Sequence, residues 1–179
     1  MRVIAGRFKA RRLKTPTWEG LRPTSDKLRE TLFNILAPRI DGARVLDGFA
    51  GTGAVGIEAL SRGAAHVTFV EKAAKAVALI RANLAACGIE GGYTIEQSDV
   101  VAALRGSRDA FDLILLDPPY DLPDVGDVLE AAATRLSAGG LLVLERATRR
   151  EPGEAVTLTR VRDVTSGDSS LTLFTRKDS

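Results

Sequence analysis

The sequence predicts a doubly wound, Rossmann-like α/β domain with a mostly parallel sheet, closed by an antiparallel C-terminal strand and preceded by a small basic hairpin. Three observations predict the sheet. Short apolar stretches alternate with helical ones between residues 43 and 146. The first apolar stretch runs into GTGAVG (51–56), a glycine-rich strand-to-helix turn. Four successive strands end on an acid, in DGFAGTG, EK, SD and DPPYD, at the sheet edge where such folds hold ligands.

Each element follows from its own pattern. RVIAG (2–6) and RRLKT (11–15) suit the arms of a hairpin. In SDKLRETLFNILAPRI, the residues Leu28, Leu32, Phe33, Ile35 and Leu36 form one helical stripe behind Ser25 or Thr24 as N-cap. ARVLD (43–47) reads as a buried strand, and AVGIEALSRG as a helix closed by Gly63. HVTFVE (66–71) is the second strand, and KAAKAVALIRANLAACG a long helix ending at Gly88. YTIEQSD (93–99) is the third strand, before the short helix VVAALRG. DLILLD (112–117) is the fourth, before the amphipathic PDVGDVLEAAATRL. GLLVLER (140–146) is the fifth, and AVTLTRVRDV and SLTLFTR pair about SGDS. Right-handed crossovers give the order 3-2-1-4-5.

At 179 residues the chain suits one domain over 1–179, with a basic arm at 1–22 and a core from 23. Hydrophobic residues make up 45% and charged residues 27%, as in ordinary globular proteins. No apolar run approaches the ~20 residues of a membrane span, and MRVIAGRFKARRLK lacks the apolar core of a signal peptide. A cytoplasmic, monomeric protein is expected. Cys87 is the single cysteine and His66 the single histidine, so neither a disulfide nor a Cys/His zinc site is expected, and no metal. The net charge of +2 hides an asymmetry: residues 1–39 hold ten Lys/Arg against three acids, and the remainder fifteen against twenty. A basic segment on a mildly acidic body points to a polyanion.

Gly51, Gly53 and Gly56 let the backbone turn tightly and approach a ligand. Glu71, twenty residues after Gly51, is placed to accept from a ribose diol. Asp47, four residues before Gly51, would repel a pyrophosphate but suits a cation. The charge pattern fits S-adenosylmethionine better than NAD, with Asp99 on the adenine amino group. The structural alternative has Asp47 and Asp99 capping the segments that follow them. In DPPY, two prolines set a rigid loop presenting carbonyl acceptors, Asp117 adds a carboxylate and Tyr120 a flat ring. Such a loop can grip an exocyclic amine, turn its lone pair toward a methyl donor and stabilise the positive charge developing on nitrogen. The base is then unstacked and inserted, with Tyr120 stacking on it.

The set RVIAG…RRLKTP…LRPTSDKLRETLFNIL, VLDGFAGTGAVGIEALSRGA, VEK…NL and FDLILLDPPY, spanning residues 2 to about 145, closely resembles the RsmD-type family of 16S ribosomal RNA guanine-N2 methyltransferases, of the class I methyltransferase fold. The D-P-P-Y loop is shared with DNA adenine enzymes; the N-terminal blocks and EALSRGA are more specific. The resemblance implies that Asp117, Pro118, Pro119 and Tyr120 form the amine-binding site. It implies cofactor contacts from Asp47, Gly48, Phe49, Ala50, Gly51, Gly53, Glu71, Lys72, Asp99, Val100 and Asp117, with Thr24 closing over the methionine part. The implied cofactor is S-adenosylmethionine, leaving as S-adenosylhomocysteine, and the implied partner is 16S rRNA in the small subunit or its precursor. Gly48 departs from the bulky residue usual after the motif's aspartate, which bears on loop packing and cofactor binding. Arg7, Lys9, Arg11, Arg12, Lys14 and Arg22 are the candidate RNA contacts. The competing readings are a DNA adenine-N6 methyltransferase, a catalytically silent RNA-binding protein and an NAD oxidoreductase. The last needs an acid or base that His66, at the far end of strand two, does not supply.

Overall fold

The computed structural model describes residues 1–18 and 24–177. Among them the chain forms α1 (Asp26–Leu36), β1 (Arg44–Gly48), α2 (Ala54–Ser61), β2 (His66–Val70), α3 (Ala74–Cys87) and β3 (Tyr93–Glu96). It continues through α4 (Val100–Gly106), β4 (Phe111–Leu116), α5 (Val125–Ala133), β5 (Leu136–Ala147), β6 (Leu158–Ser166) and β7 (Ser169–Arg176). The strands make one sheet in the order β3-β2-β1-β4-β5-β7-β6. β1 to β5 are parallel, and β7 runs antiparallel between β5 and β6. The expected 3-2-1-4-5 order and closing hairpin are both present. No helix among the described residues is long and apolar enough to cross a membrane.

Local chemistry sets the boundaries. Ser25, not Thr24, caps α1: its hydroxyl accepts from the Leu28 amide. Asp99 caps α4 and Asp124 caps α5 in the same manner. Gly88 ends α3 in the left-handed region, as expected. Two apolar layers sandwich the sheet. One packs Val45, Val67, Phe69, Leu113 and Val143 under α1, α2, α3 and the N-terminal arm; the other packs Leu46, Ile114 and Leu142 under α4 and α5. Both faces are covered, so the central strands read as continuous apolar runs rather than alternating ones.

The arm pairs as foreseen, but as one antiparallel bridge, Arg2 with Arg12, rather than a full ladder. Side chains of the body complete it. The Ile4 and Ala5 amides donate to the Glu58 carboxylate at 2.8 and 3.0 Å. Ser61 Oγ accepts from the Phe8 amide and donates to the Ala5 carbonyl. Asn83 accepts from the Lys14 amide at 2.7 Å and donates to the carbonyls of Lys14 and Thr52. Arg29, fully buried in α1, donates from Nη2 to the Arg2 carbonyl and to Asp26. EALSRG is therefore the clasp of the arm. Arg62 completes it by pairing with Glu58 at 2.8 Å and lying over the Phe33 ring. Glu58→Ala leaves two arm amides and Arg62 without their acceptor. It should cost about 3 kcal/mol in a urea titration and expose the arm to limited proteolysis.

Candidate active site

The carboxyl ends of β1, β4 and β5 meet under the first residues of α1. Gly51 and Gly53 take φ of 56° and 76°, which lets the loop turn from β1 into α2. A Cβ on Gly56 would stand 2.2 Å from the Phe69 ring, so this glycine is required by the close approach of α2 to β2. Phe49 is held at φ 61°, a strained conformation for a side-chain-bearing residue and one that gathers at functional loops. At Gly48 a Cβ would meet Leu116 Cδ2 at 2.7 Å, with Leu46 and Val100 also close. The volume that a bulkier residue would use is occupied by Leu116 and Val100, so the loop is packed rather than loosened at this point.

Asp47 is buried, 4% exposed, and accepts from the Gly56 amide at 2.8 Å. Burial pushes its carboxyl up to about 8, and the nearby Asp117 and Glu71 add to the shift. Glu71 stands just beyond β2 and accepts from the amides of Gly51 at 2.9 Å and Ala73 at 2.8 Å. Each of its oxygens keeps a second lone pair for a hydroxyl of a ligand. Ala50 is buried in the same loop, Lys72 is exposed beside Glu71, and Val100 is buried one residue after Asp99. Asp99 itself spends one oxygen on the Ala102 amide.

Asp117 follows β4, and its amide donates to the Gly48 carbonyl at 3.4 Å, which ties the DPPY loop to the glycine loop. Burial raises its carboxyl well above the usual carboxylate range, and the Thr24 hydroxyl opposes the shift. Pro118 is buried and Pro119 exposed; the Pro119 carbonyl accepts from the Leu122 amide, which fixes the turn. Tyr120 is 46% exposed, a large ring left open at the mouth. Asp117, Asp47 and Glu145 together line a cavity of ≈ 20 Å³ with apolar walls. Glu145, in β5, is also raised, by burial and by Asp117. The sequence reading missed Glu145, which lies inside the fifth strand before Arg146 and Ala147 rather than at its end.

The basic residues spread along one flank. Arg7, Lys9, Arg11, Arg12 and Lys14 are exposed and make no ion pair among the described residues. Arg22 lies outside the described residues. The Arg7 amide donates to the carbonyl of Ser61, the last residue of α2. Lys14 joins Thr52 of the glycine loop through Asn83. The arm thus runs beside α2 from the glycine loop to the opposite edge of the sheet, about 12 Å for eight helical residues. His66 is the first residue of β2, at that opposite edge, bonded to Thr94.

The family described as Conserved hypothetical protein 95 matches residues 1–175. The ribosomal RNA small subunit methyltransferase D of Haemophilus influenzae is 42% identical over 123 residues, 67% of this chain and 64% of that protein. That of Escherichia coli is 41% identical over 120 residues, 67% of this chain and 60% of that protein. These alignments span less than two thirds of the relatives' own lengths. The solved structure of the Escherichia coli yhhF protein superposes with a TM-score of 0.88 at 28% identity, covering 100% of this chain and 99% of that one. The chain belongs to the Conserved hypothetical protein 95 family, of the RsmD type.

Proposed function

We propose that the protein methylates the exocyclic N2 amine of a guanosine in 16S ribosomal RNA, using S-adenosylmethionine. The observation that carries this reading is a single juxtaposition. A rigid DPPY loop, with a half-buried carboxylate and an open tyrosine ring, is tied by a backbone hydrogen bond to an acid-flanked glycine loop.

The glycine loop suits a cationic, ribose-bearing ligand. Glu71 offers acceptors to a diol, the buried Asp47 supplies a negative charge once it is ionised, and Asp99 keeps a free oxygen for an adenine amine. Gly48, Phe49, Ala50, Gly51, Gly53, Lys72 and Val100 form the walls of that cradle, and Thr24 closes it. S-adenosylmethionine held there would supply an electrophilic methyl group for the N2 lone pair, its S–C electron pair staying with the sulfur, and the methylated nitrogen would release one proton to water. Asp117 and the Pro118 carbonyl accept the two N–H bonds, aim the lone pair and stabilise the charge that develops on nitrogen. Tyr120 stacks on the extruded base, and Pro119 holds the turn that places it. The protein acts as a single cytoplasmic domain and a monomer, on the small subunit or its precursor.

The test is methyl transfer from labelled S-adenosylmethionine to small subunits lacking their own methylation, with naked RNA and duplex DNA alongside. N2-methylguanosine on the subunits is the expected product; N6-methyladenine in DNA would overturn the substrate. The arm should position RNA through its phosphates without reading sequence. Arg11→Ala with Arg12→Ala should weaken RNA binding and lower its salt slope by about 2 while leaving cofactor affinity unchanged. A filter-binding salt series checks this, and an unchanged slope rejects the arm as the docking element.

A further inference from the structure

Sheet register places three carboxylates on one face. Asp47 pairs with Leu115, which pairs with Val143. Two residues further along, on the same face, stand Asp117 and Glu145, and Glu145 pairs with Leu171 of β7. Leu32 of α1 and Val55 of α2 line the cavity of ≈ 20 Å³ on this face, enough for about one water. Its titratable groups are Asp47 from β1, Asp117 after β4 and Glu145 from β5; α1, α2 and β7 contribute only apolar side chains, and no cation among the described residues lines it. The Thr24 hydroxyl donates to Glu145 Oε2 across a long 3.4 Å and also faces Asp117.

We propose that Glu145 is a positioning residue for Asp117, acting through the shared cavity and the bridging hydroxyl of Thr24. Two carboxyl groups in an apolar, cation-free site do not both ionise cheaply, so one proton is shared between them. When an amine N–H approaches Asp117, that proton rests on Glu145 and Asp117 is free to accept. Glu145 also fixes Thr24, and with it the chain entering α1, over the loop. This rests on the reading of Asp117 as the amine acceptor, and it adds a residue that touches neither substrate nor cofactor.

The experiment follows the Asp117 carboxyl by carbon NMR in protein labelled at aspartate, assigned with Asp117→Asn, in parallel with methyl transfer to small subunits. Glu145→Gln removes the neighbouring charge but still accepts from Thr24. It should lower the Asp117 midpoint by about one pH unit, carry the acid limb of the rate profile down with it, and keep most of kcat. Glu145→Ala loses the acceptor as well; kcat should fall about tenfold with the cofactor KM nearly unchanged. Thr24→Val should raise the Asp117 midpoint. An Asp117 midpoint identical in wild type, Glu145→Gln and Thr24→Val overturns the proposal, and the Gln variant answers the question even if the Ala variant does not fold. Midpoints that move while wild type transfers no methyl would uphold the pairing and sink the activity on which it rests.

Discussion

Asp117→Ala should lower the rate of methyl transfer about a hundred- to a thousandfold, the loss typical of removing one preorganised group that faces developing charge. On the proposed reaction, positive charge grows on the attacking nitrogen, and the Asp117 carboxylate is a charged acceptor, half-buried just past the end of a central strand. Alanine leaves the Pro118 carbonyl as the remaining acceptor and opens the cavity behind it to water. Cofactor affinity should change little, because Glu71 and the glycine loop are untouched. Asp117→Asn keeps an oxygen acceptor and should lie between the two. Single-turnover transfer at saturating cofactor measures the effect directly. A protein that only binds RNA would show the same RNA affinity in all three forms and no transfer in any.

The unliganded protein should be more stable at pH 5 than at pH 8, by on the order of 2 kcal/mol. The sign follows from proton counts. Free carboxylates titrate near 4, whereas Asp47 holds its proton to about 8 and the Asp117–Glu145 pair is also raised. Between those values the folded chain binds more protons than the unfolded chain. Stability present at low pH is therefore lost as pH rises through the folded-state values. Asp163 and Glu130, held below their ordinary values, act in the opposite sense, but their effect is complete by about pH 5; His66, lowered by burial, opposes the trend within the window as one group against three. Urea titrations at pH 5, 6, 7 and 8 test this, and stability that is flat or rising across the window refutes it. Glu145→Gln should flatten the curve and stabilise the protein at pH 8 while shifting its activity profile. The site thus holds charge at a cost in stability, and part of that cost is returned when a cationic ligand binds.

Most of the fold was legible because period and punctuation agreed. The runs read at 43–47, 66–71 and 112–117 became β1, β2 and β4 with ends shifted by one residue, and Gly88 stopped α3 where expected. The strand-end rule found Asp47, Glu71, Asp99 and Asp117 because it is a statement about topology. Glu145 escaped it because β5 runs on through Arg146 to Ala147 and does not end on an acid. The arm was harder. Its ladder is a single bridge, and what holds it are long-range bonds from Glu58, Ser61 and Asn83, fifty or more residues away. No local period reports such contacts. Arg29 was invisible for a related reason: in a helical stripe a lone arginine reads as solvated, and its burial depends on a backbone carbonyl supplied by the arm.

Asn83 has a consequence for anyone who would re-engineer specificity. One amide side chain grips Lys14 on both its N–H and C=O and, with its remaining donor, the Thr52 carbonyl inside the glycine loop. The hairpin is therefore not a detachable adaptor. A foreign RNA-reading hairpin grafted onto this body would have to present matching backbone groups to Asn83, Glu58 and Ser61. A graft that failed to do so would leave buried polar atoms unpaired beside the glycine loop, and on the proposed function its defect would be recorded as weakened cofactor binding rather than altered RNA affinity. On the proposed function, exchanging the exposed basic side chains of the arm on its existing backbone should change RNA affinity and its salt dependence, not the sequence chosen.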